Sequence, residues 1–210
     1  MRGQFITLDG IDGAGKSTHL AFMKQWFDAH NIDAVFSREP GGTPVGEALR
    51  GLLLDPDTKA SLNTETLMMF AARMQHIEDV IEPALAAGRW VVSDRFTDAT
   101  FAYQGGGRGV PLARIQILED WVQQGLQPDL TLLLDVSLSV SEERLARTRE
   151  KDRFEQEARD FFERTRSVYL DRAQAHPSRY VVLDSSQPVD AVQAQINAVL
   201  TRLQQRLVTA

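Results

Sequence analysis

The chain has 210 residues, room for one sizeable domain, and its apolar share of 43% and charged share of 25% set aside disordered, collagen-like and membrane classes. Lysine plus arginine number 23 against 29 aspartate plus glutamate, and the net charge of −6 argues against gripping a nucleic-acid backbone, so phosphate recognition has to be local. The absence of cysteine excludes disulfides, thiolate metal sites and a thiol nucleophile, and accords with a reducing compartment.

The first apolar run, residues 5–8, is β-prone and ends at Asp9, too short for a signal peptide or a membrane span; a cytoplasmic location is expected. A glycine-rich turn follows, then an amphipathic helix over residues 16–29. A strand is expected at 34–36, a turn at Pro40-Gly41-Gly42, and a helix over 45–54 closed by Asp55-Pro56-Asp57. Residues 64–87 repeat apolar positions at Leu67, Phe70, Met74, Ile77 and Ile81, so one long helix or two abutting ones should end at Gly88. A buried strand is expected at 90–93, a loop at the glycine cluster 105–109, a helix over 112–124 and an apolar strand at 130–134. The remainder reads as an arginine-rich stretch (142–153), a helix (155–175), a strand (180–183) and a terminal amphipathic helix (189–207).

Five short apolar strands alternating with helices imply an α/β fold with a parallel sheet covered on both faces. Ligands in such folds sit beyond the carboxyl ends of the strands, which draws attention to Asp9, Asp94, Asp135 and Asp184.

Residues 10–17, Gly10-Ile11-Asp12-Gly13-Ala14-Gly15-Lys16-Ser17, match G-x-x-x-x-G-K-[ST] at every fixed position, between a strand and a helix. In that motif backbone N–H groups and a helix N-terminus cradle phosphate, Lys16 neutralises the β and γ oxygens, and the Ser17 hydroxyl can hold Mg²⁺; Thr18 follows directly. An Asn-Lys-x-Asp guanine-reading segment is missing, so ATP is expected in place of GTP. Asp94, at the end of a strand, can hold Mg²⁺ as Walker-B-type acids do, or cap a helix instead. The four histidines, His19, His30, His76 and His176, show no metal-ligand spacing.

With the phosphate loop, Arg38-Glu39-Pro40-Gly41-Gly42-Thr43, Asp94-Arg95-Phe96, the run from Ala102 to Gly109, Pro128-Asp129-Leu130 and Asp152-Arg153-Phe154-Glu155 come in one order along nearly the whole chain. In this the sequence resembles bacterial thymidylate kinases. The resemblance implies a single P-loop nucleoside-monophosphate kinase domain with a five-stranded parallel sheet and a small lid near 142–155. It also implies a homodimer, ATP and Mg²⁺ as cofactors, dTMP as acceptor, and a place in dTTP supply.

Residue roles follow from the same resemblance. Asp12 would reach the acceptor's sugar hydroxyl and position Arg95; Arg73 and Arg95 would grip the dTMP phosphate; Glu39 and Pro40 would lie at the acceptor site. Arg50 and Gln104, with Thr100 beside them, would read the thymine edge, and Tyr103 would fill the space of a ribose 2′-hydroxyl. Many relatives stack a phenylalanine on the base four residues before the arginine; here that position is Met69, with Phe70 next to it, and either Phe70 supplies the stack or it is core.

The phosphate loop carries no arginine, so the chain looks like the type whose lid arginines act on the transferred phosphoryl group. Arg153 matches that lid motif. Arg147 and Arg149 flank the other expected position, which is Thr148 here, and which of the two contacts phosphate stays open. The competing readings are a kinase for a different acceptor and a nucleotide-binding regulatory switch.

Overall fold

The computed structural model describes residues 2–146 and 159–209. Arg147, Arg149 and Arg153 lie outside these residues, as does most of the expected lid; its first part, 142–145, ends a helix.

Five strands, β1 (Phe5–Asp9), β2 (Ala34–Arg38), β3 (Trp90–Asp94), β4 (Leu130–Asp135) and β5 (Tyr180–Asp184), form one parallel sheet in the order β2-β3-β1-β4-β5. Position in the sheet tracks burial. β1, β3 and β4 are mostly apolar and buried along their length, save the half-buried aspartates that end β3 and β4, which suits the interior of a sheet covered on both faces. The less buried β2 and β5 take the edges.

Alternation along the strands separates two cores. Ile6, Leu8 and Val92 pack with Met23, Trp26 and Phe27 of α1 (Lys16–Ala29) and with Ile196 and Leu200 of α9 (Val189–Thr209). Phe5 and Val91 face the other way, onto Phe70 of α3 (Leu62–His76) and Ile115 and Val122 of α6 (Leu112–Gln123). Among the described residues no helix is long and apolar enough to cross a membrane.

The expected helix over 64–87 is one helical path in three parts: α3, a π-helical turn at Ile77–Ile81, and α4 (Glu82–Ala86). Ser61 caps its start by accepting from the Thr64 N–H, and Thr43 does the same for Gly46 at the head of α2 (Pro44–Leu54).

The glycine cluster expected as a loop is helical in its first three residues, Gly105 to Gly107, and leaves the helix only at Arg108 and Gly109. A short helix, α5 (Thr97–Thr100), runs into a π-helical segment at Phe101–Gly107, and this segment packs closely against α8 (Arg159–Ala175). The glycines serve close approach there: a Cβ on Gly106 would lie 2.6 Å from Val168 Cγ2, and one on Gly107 would lie 2.3 Å from Phe161 Cε2. Asp98 of α5 is buried and pairs with Arg172 and Arg179, which ties α5 to α8 and to the entry of β5. A further short helix, α7 (Leu138–Leu145), follows β4.

Candidate active site

The chain crosses from one half of the sheet to the other around β1, so the carboxyl ends of β1, β3 and β4 open onto a crevice. The phosphate loop fills the step from β1 into α1. Gly10 has φ 144°, and a Cβ there would sit 2.5 Å from the Leu134 carbonyl oxygen, so no other residue fits. Gly15, also at positive φ, precedes α1 without a side-chain cap, which leaves the first N–H groups of that helix open to an anion.

The loop is braced from behind by elements far away in sequence. Ser141 of α7 donates to the Asp12 carbonyl (2.6 Å) and Ser185, beyond β5, donates to that of Ala14 (2.6 Å). Arg144 donates to the carbonyls of Gly13 (3.3 Å) and Ser185 (2.8 Å). Lys16 Nζ turns back onto the carbonyls of Gly10 (2.9 Å) and Ile11 (3.1 Å), 3.8 Å from Asp12 Oδ1. Burial and the like charge of Arg95 lower its pKa, against the pull of Asp12, Asp94 and Asp9.

Arg95 and Tyr103 face the loop: Asp12 accepts from Arg95 Nη2 (2.5 Å) on one oxygen and from the Tyr103 hydroxyl (2.8 Å) on the other. Arg95 also reaches Tyr103 Oη at 3.0 Å, closing a three-residue ring, and its backbone is held at φ 69°, a conformation that costs energy for a non-glycine residue. Burial alone would raise the Asp12 carboxyl, but the charges of Arg95 and Lys16 with the hydrogen bonds from Tyr103 and Arg95 hold it at about 2.

A second arginine lies deeper. Arg73 donates to Glu39 Oε2 (2.8 Å) and Thr100 Oγ1 (2.9 Å), while His76 and Ser37 continue the chain from the other Glu39 oxygen. Arg73 Nη1 and Arg95 Nε are both buried without a partner among the described residues. Two donor-only guanidinium groups, each with an unspent buried N–H in one cavity, suit a doubly charged anion.

These groups line one cavity of about 810 Å³ that also includes Ser17, Thr18, Pro40, Arg50, Met69, Asp94, Thr100 and Gln104. The volume sits in the upper range of small-ligand sites.

The thymidylate kinase family model matches residues 8–196. The chain belongs to the thymidylate kinase family. A thymidylate kinase of Neisseria meningitidis serogroup A is 69% identical over 202 residues, covering 96% of this chain and 98% of its own. One from Chromobacterium violaceum is 63% identical over 205 residues, covering 98% and 97%. The crystal structure of thymidylate kinase from Ehrlichia chaffeensis superposes with a TM-score of 0.78 at 30% identity, covering 96% of this chain and 99% of that one.

The fold brings most of the residues singled out by the phosphate-loop motif and by the resemblance to one cavity, with four exceptions among the described residues. Gly10, Ile11 and Ala14 shape the loop from beneath and do not line the cavity. Phe70 is 2% exposed and packs behind Arg73, whose guanidinium carbon lies 4.7 Å from its ring centroid; Met69 is the residue at the wall. The helix is not rotated to bring Phe70 round, because its ring is held in the core with Phe96 and Ile81.

Of the strand-end acids, Asp135 pairs with Arg166 (2.6 Å) and Asp184 turns back onto Ser186 (2.6 Å). Asp9 is fully buried, accepts from the Tyr169 hydroxyl (3.2 Å), and has its second oxygen without a partner among the described residues.

Sequence reasoning passed over Ser141, Ser185 and His76. The two serines carry no local signal, since each acts on a loop more than a hundred residues away. His76 had one: it sits three residues after Arg73 on the same helix face, where both reach Glu39.

Proposed function

We infer that the chain transfers the γ-phosphoryl group of ATP to dTMP, giving ADP and dTDP, a step of dTTP supply. The observation that carries this reading is the meeting, in one cavity, of a triphosphate loop with a second cationic site. A hydrolase or a switch needs only the first.

The acceptor is already a phosphate dianion, so little general-base chemistry is required, and positioning with charge neutralisation supplies the rate. Lys16 would leave the Gly10 and Ile11 carbonyls for the β and γ oxygens of the donor. Arg95 and Arg73 would hold the acceptor phosphate through their free N–H groups, Arg95 kept in place by Asp12 and Tyr103, Arg73 by Glu39 and Thr100. The Tyr103–Asp12 hydrogen bond would stand where a ribose 2′-hydroxyl has to fit, which favours the deoxy sugar. Arg50, anchored on the Pro40 carbonyl (2.9 Å), and Gln104 would meet the pyrimidine edge beside Thr100, with Met69 against the ring. Arg153, with one of Arg147 and Arg149, would neutralise the transferred phosphoryl group.

Magnesium fits this donor set: Ser17 and Asp94 line the same cavity, and Asp94 Oδ1 is buried without a partner among the described residues. Ser17 and Asp94 would hold it, directly or through water, in the sparse protein coordination that Mg²⁺ adopts. Bound there, it neutralises charge on the donor phosphates.

A homodimer and a cytoplasmic location belong to the same proposal. Ile117 and Trp121, four residues apart on α6, are each 66% exposed, and α6 packs beside α3, whose Leu67 is also exposed. Light scattering of the pure protein should give twice the chain mass, and Trp121→Glu should halve it.

The deciding experiment is ADP release from ATP·Mg²⁺ with dTMP, dUMP, dCMP, UMP, AMP, GMP and thymidine as acceptors. Strong preference for dTMP is expected; preference for another acceptor would overturn the thymine assignment, and slow hydrolysis without transfer would point to a switch.

A further inference from the structure

Gln104 is the one carboxamide placed at the expected base-reading wall, and a carboxamide can present either its oxygen or its NH₂ to a ligand. Which one it presents decides the ring it accepts. Thymine and uracil carry a hydrogen on N3, whereas cytosine has a lone pair there.

The structure resolves this choice through a residue outside the cavity. Glu65, on α3 and fully buried, accepts from Gln104 Nε2 at 3.1 Å with one carboxylate oxygen. Its other oxygen lies 3.5 Å from Arg108 Nη1. A carboxylate paired with a guanidinium has no hydrogen to offer, so the NH₂ side of Gln104 must face it. Turning the amide over would set oxygen against oxygen in a buried place and forfeit the hydrogen bond. Gln104 Oε1 makes no hydrogen bond to any described residue and is left for the cavity.

We propose that Glu65 is a specificity-determining positioning residue: by holding the Gln104 carboxamide oxygen toward the cavity, it selects pyrimidines with a hydrogen on N3 over those with a lone pair. The proposal rests on the pyrimidine-monophosphate reading of the site. Glu65 does not touch the substrate.

Glu65→Gln tests this with little change in volume. Arg108, a donor only, takes the oxygen of the new carboxamide, so its NH₂ faces Gln104 and Gln104 has to turn over. The cavity then meets an NH₂ group in place of an oxygen. The measurement is kcat/KM for dTMP, dUMP and dCMP with purified wild type and variant. The expected result is a fall of about tenfold or more in the dTMP-to-dCMP ratio. The dTMP-to-dUMP ratio should hold, because those two rings share the N3 hydrogen and differ only at the C5 methyl.

A proportional loss on all three acceptors, or an unchanged dTMP-to-dCMP ratio, would overturn the proposal and leave Glu65 as a packing residue. Should the variant not fold, Glu65→Asp keeps the charge toward Arg108 but draws the carboxylate back from Gln104; a smaller fall in the same ratio is expected, and no fall overturns the idea. If wild type itself shows no preference for dTMP or dUMP over dCMP, the base-reading assignment fails, whatever the variants do.

Discussion

Arg73 and Glu39 lie 2.8 Å apart with their side chains 2% and 3% exposed, so each is the other's chief compensation for leaving water. Removing one partner of such a pair costs about 3 to 5 kcal/mol, because the remaining charge is stranded. Arg73→Met should lower unfolding stability by about 3 kcal/mol, and adding Glu39→Gln to it should restore part of the loss. Urea titration of the single and double variants checks this; equal stability of the two would mean that His76 alone suffices for Glu39.

Among the described residues the Lys16 and Arg95 side chains hydrogen-bond only to loop carbonyls, Asp12 and Tyr103, all within the cavity region. Lys16→Ala and Arg95→Ala should therefore retain the wild-type circular dichroism spectrum while turnover drops by about a hundredfold or more, the scale of losing a preorganised charge from a transition state. Near-normal turnover in either variant would remove that residue from the reaction.

The π-helical segment at Phe101–Gly107 can lie against α8 only because Gly106 and Gly107 have no side chains. Gly106→Ala would push a methyl group into Val168 and the Arg164 carbonyl, and overpacking of this kind costs about 1 to 3 kcal/mol. Because Tyr103 and Gln104 sit on the same segment, KM for dTMP should rise along with the fall in melting temperature. A stable variant with normal KM would show that the two helices can part without cost.

Asp12 and Asp9 predict opposite responses to pH. The folded-state pKa of Asp12, about 2, lies below its ordinary 3.8, so its contribution is complete above pH 4 and fades as pH falls toward 2. The shift corresponds to about 2 kcal/mol, with about half of it lost by pH 3. Asp12→Asn should be less stable than wild type by about that amount at pH 6, with the gap narrowing below pH 4.

Asp9 is pushed up to about 7 by burial and by the negative charge of Asp98, against Arg95, the Tyr169 hydrogen bond and Lys16. For a raised carboxyl the favourable contribution is present below the ordinary 3.8 and is lost as pH climbs through 7. Relative to wild type, Asp9→Asn should therefore gain in melting temperature between pH 5 and pH 8, and level off above that. A difference independent of pH would mean that Asp9 stays ionised throughout.

Much of this was legible in one dimension, since the phosphate loop is a contiguous run in which the glycines act through their own backbone and Lys16 through its ammonium group. The strands were equally plain, because a sheet covered on both faces favours apolar side chains along its inner strands, as in β1 and β4, where the polar exceptions are one threonine each and the aspartate at the carboxyl end. The run 105–107 was not, because glycine frees a backbone for turns and also lets two helices touch; the partner helix that decides between these uses begins some fifty residues later. Phe70 and Met69 posed the same difficulty, since adjacent positions differ by about 100° around a helix and only the packed core reveals which one faces inward.

The strands, the triphosphate loop and the family could all be read along the chain, because each rests on residues that are neighbours in the chain or on motifs in a set order. The tertiary structure alone decided which charges are satisfied: Glu39 by Arg73 and His76, Asp12 by Arg95 and Tyr103, Glu65 by Gln104 and Arg108. These partners lie more than thirty residues apart, and apart from Asp12 with Arg95, which the resemblance had already implied, none was visible along the chain; burial makes each pairing obligatory, since a lone charge inside the fold is strongly unfavourable.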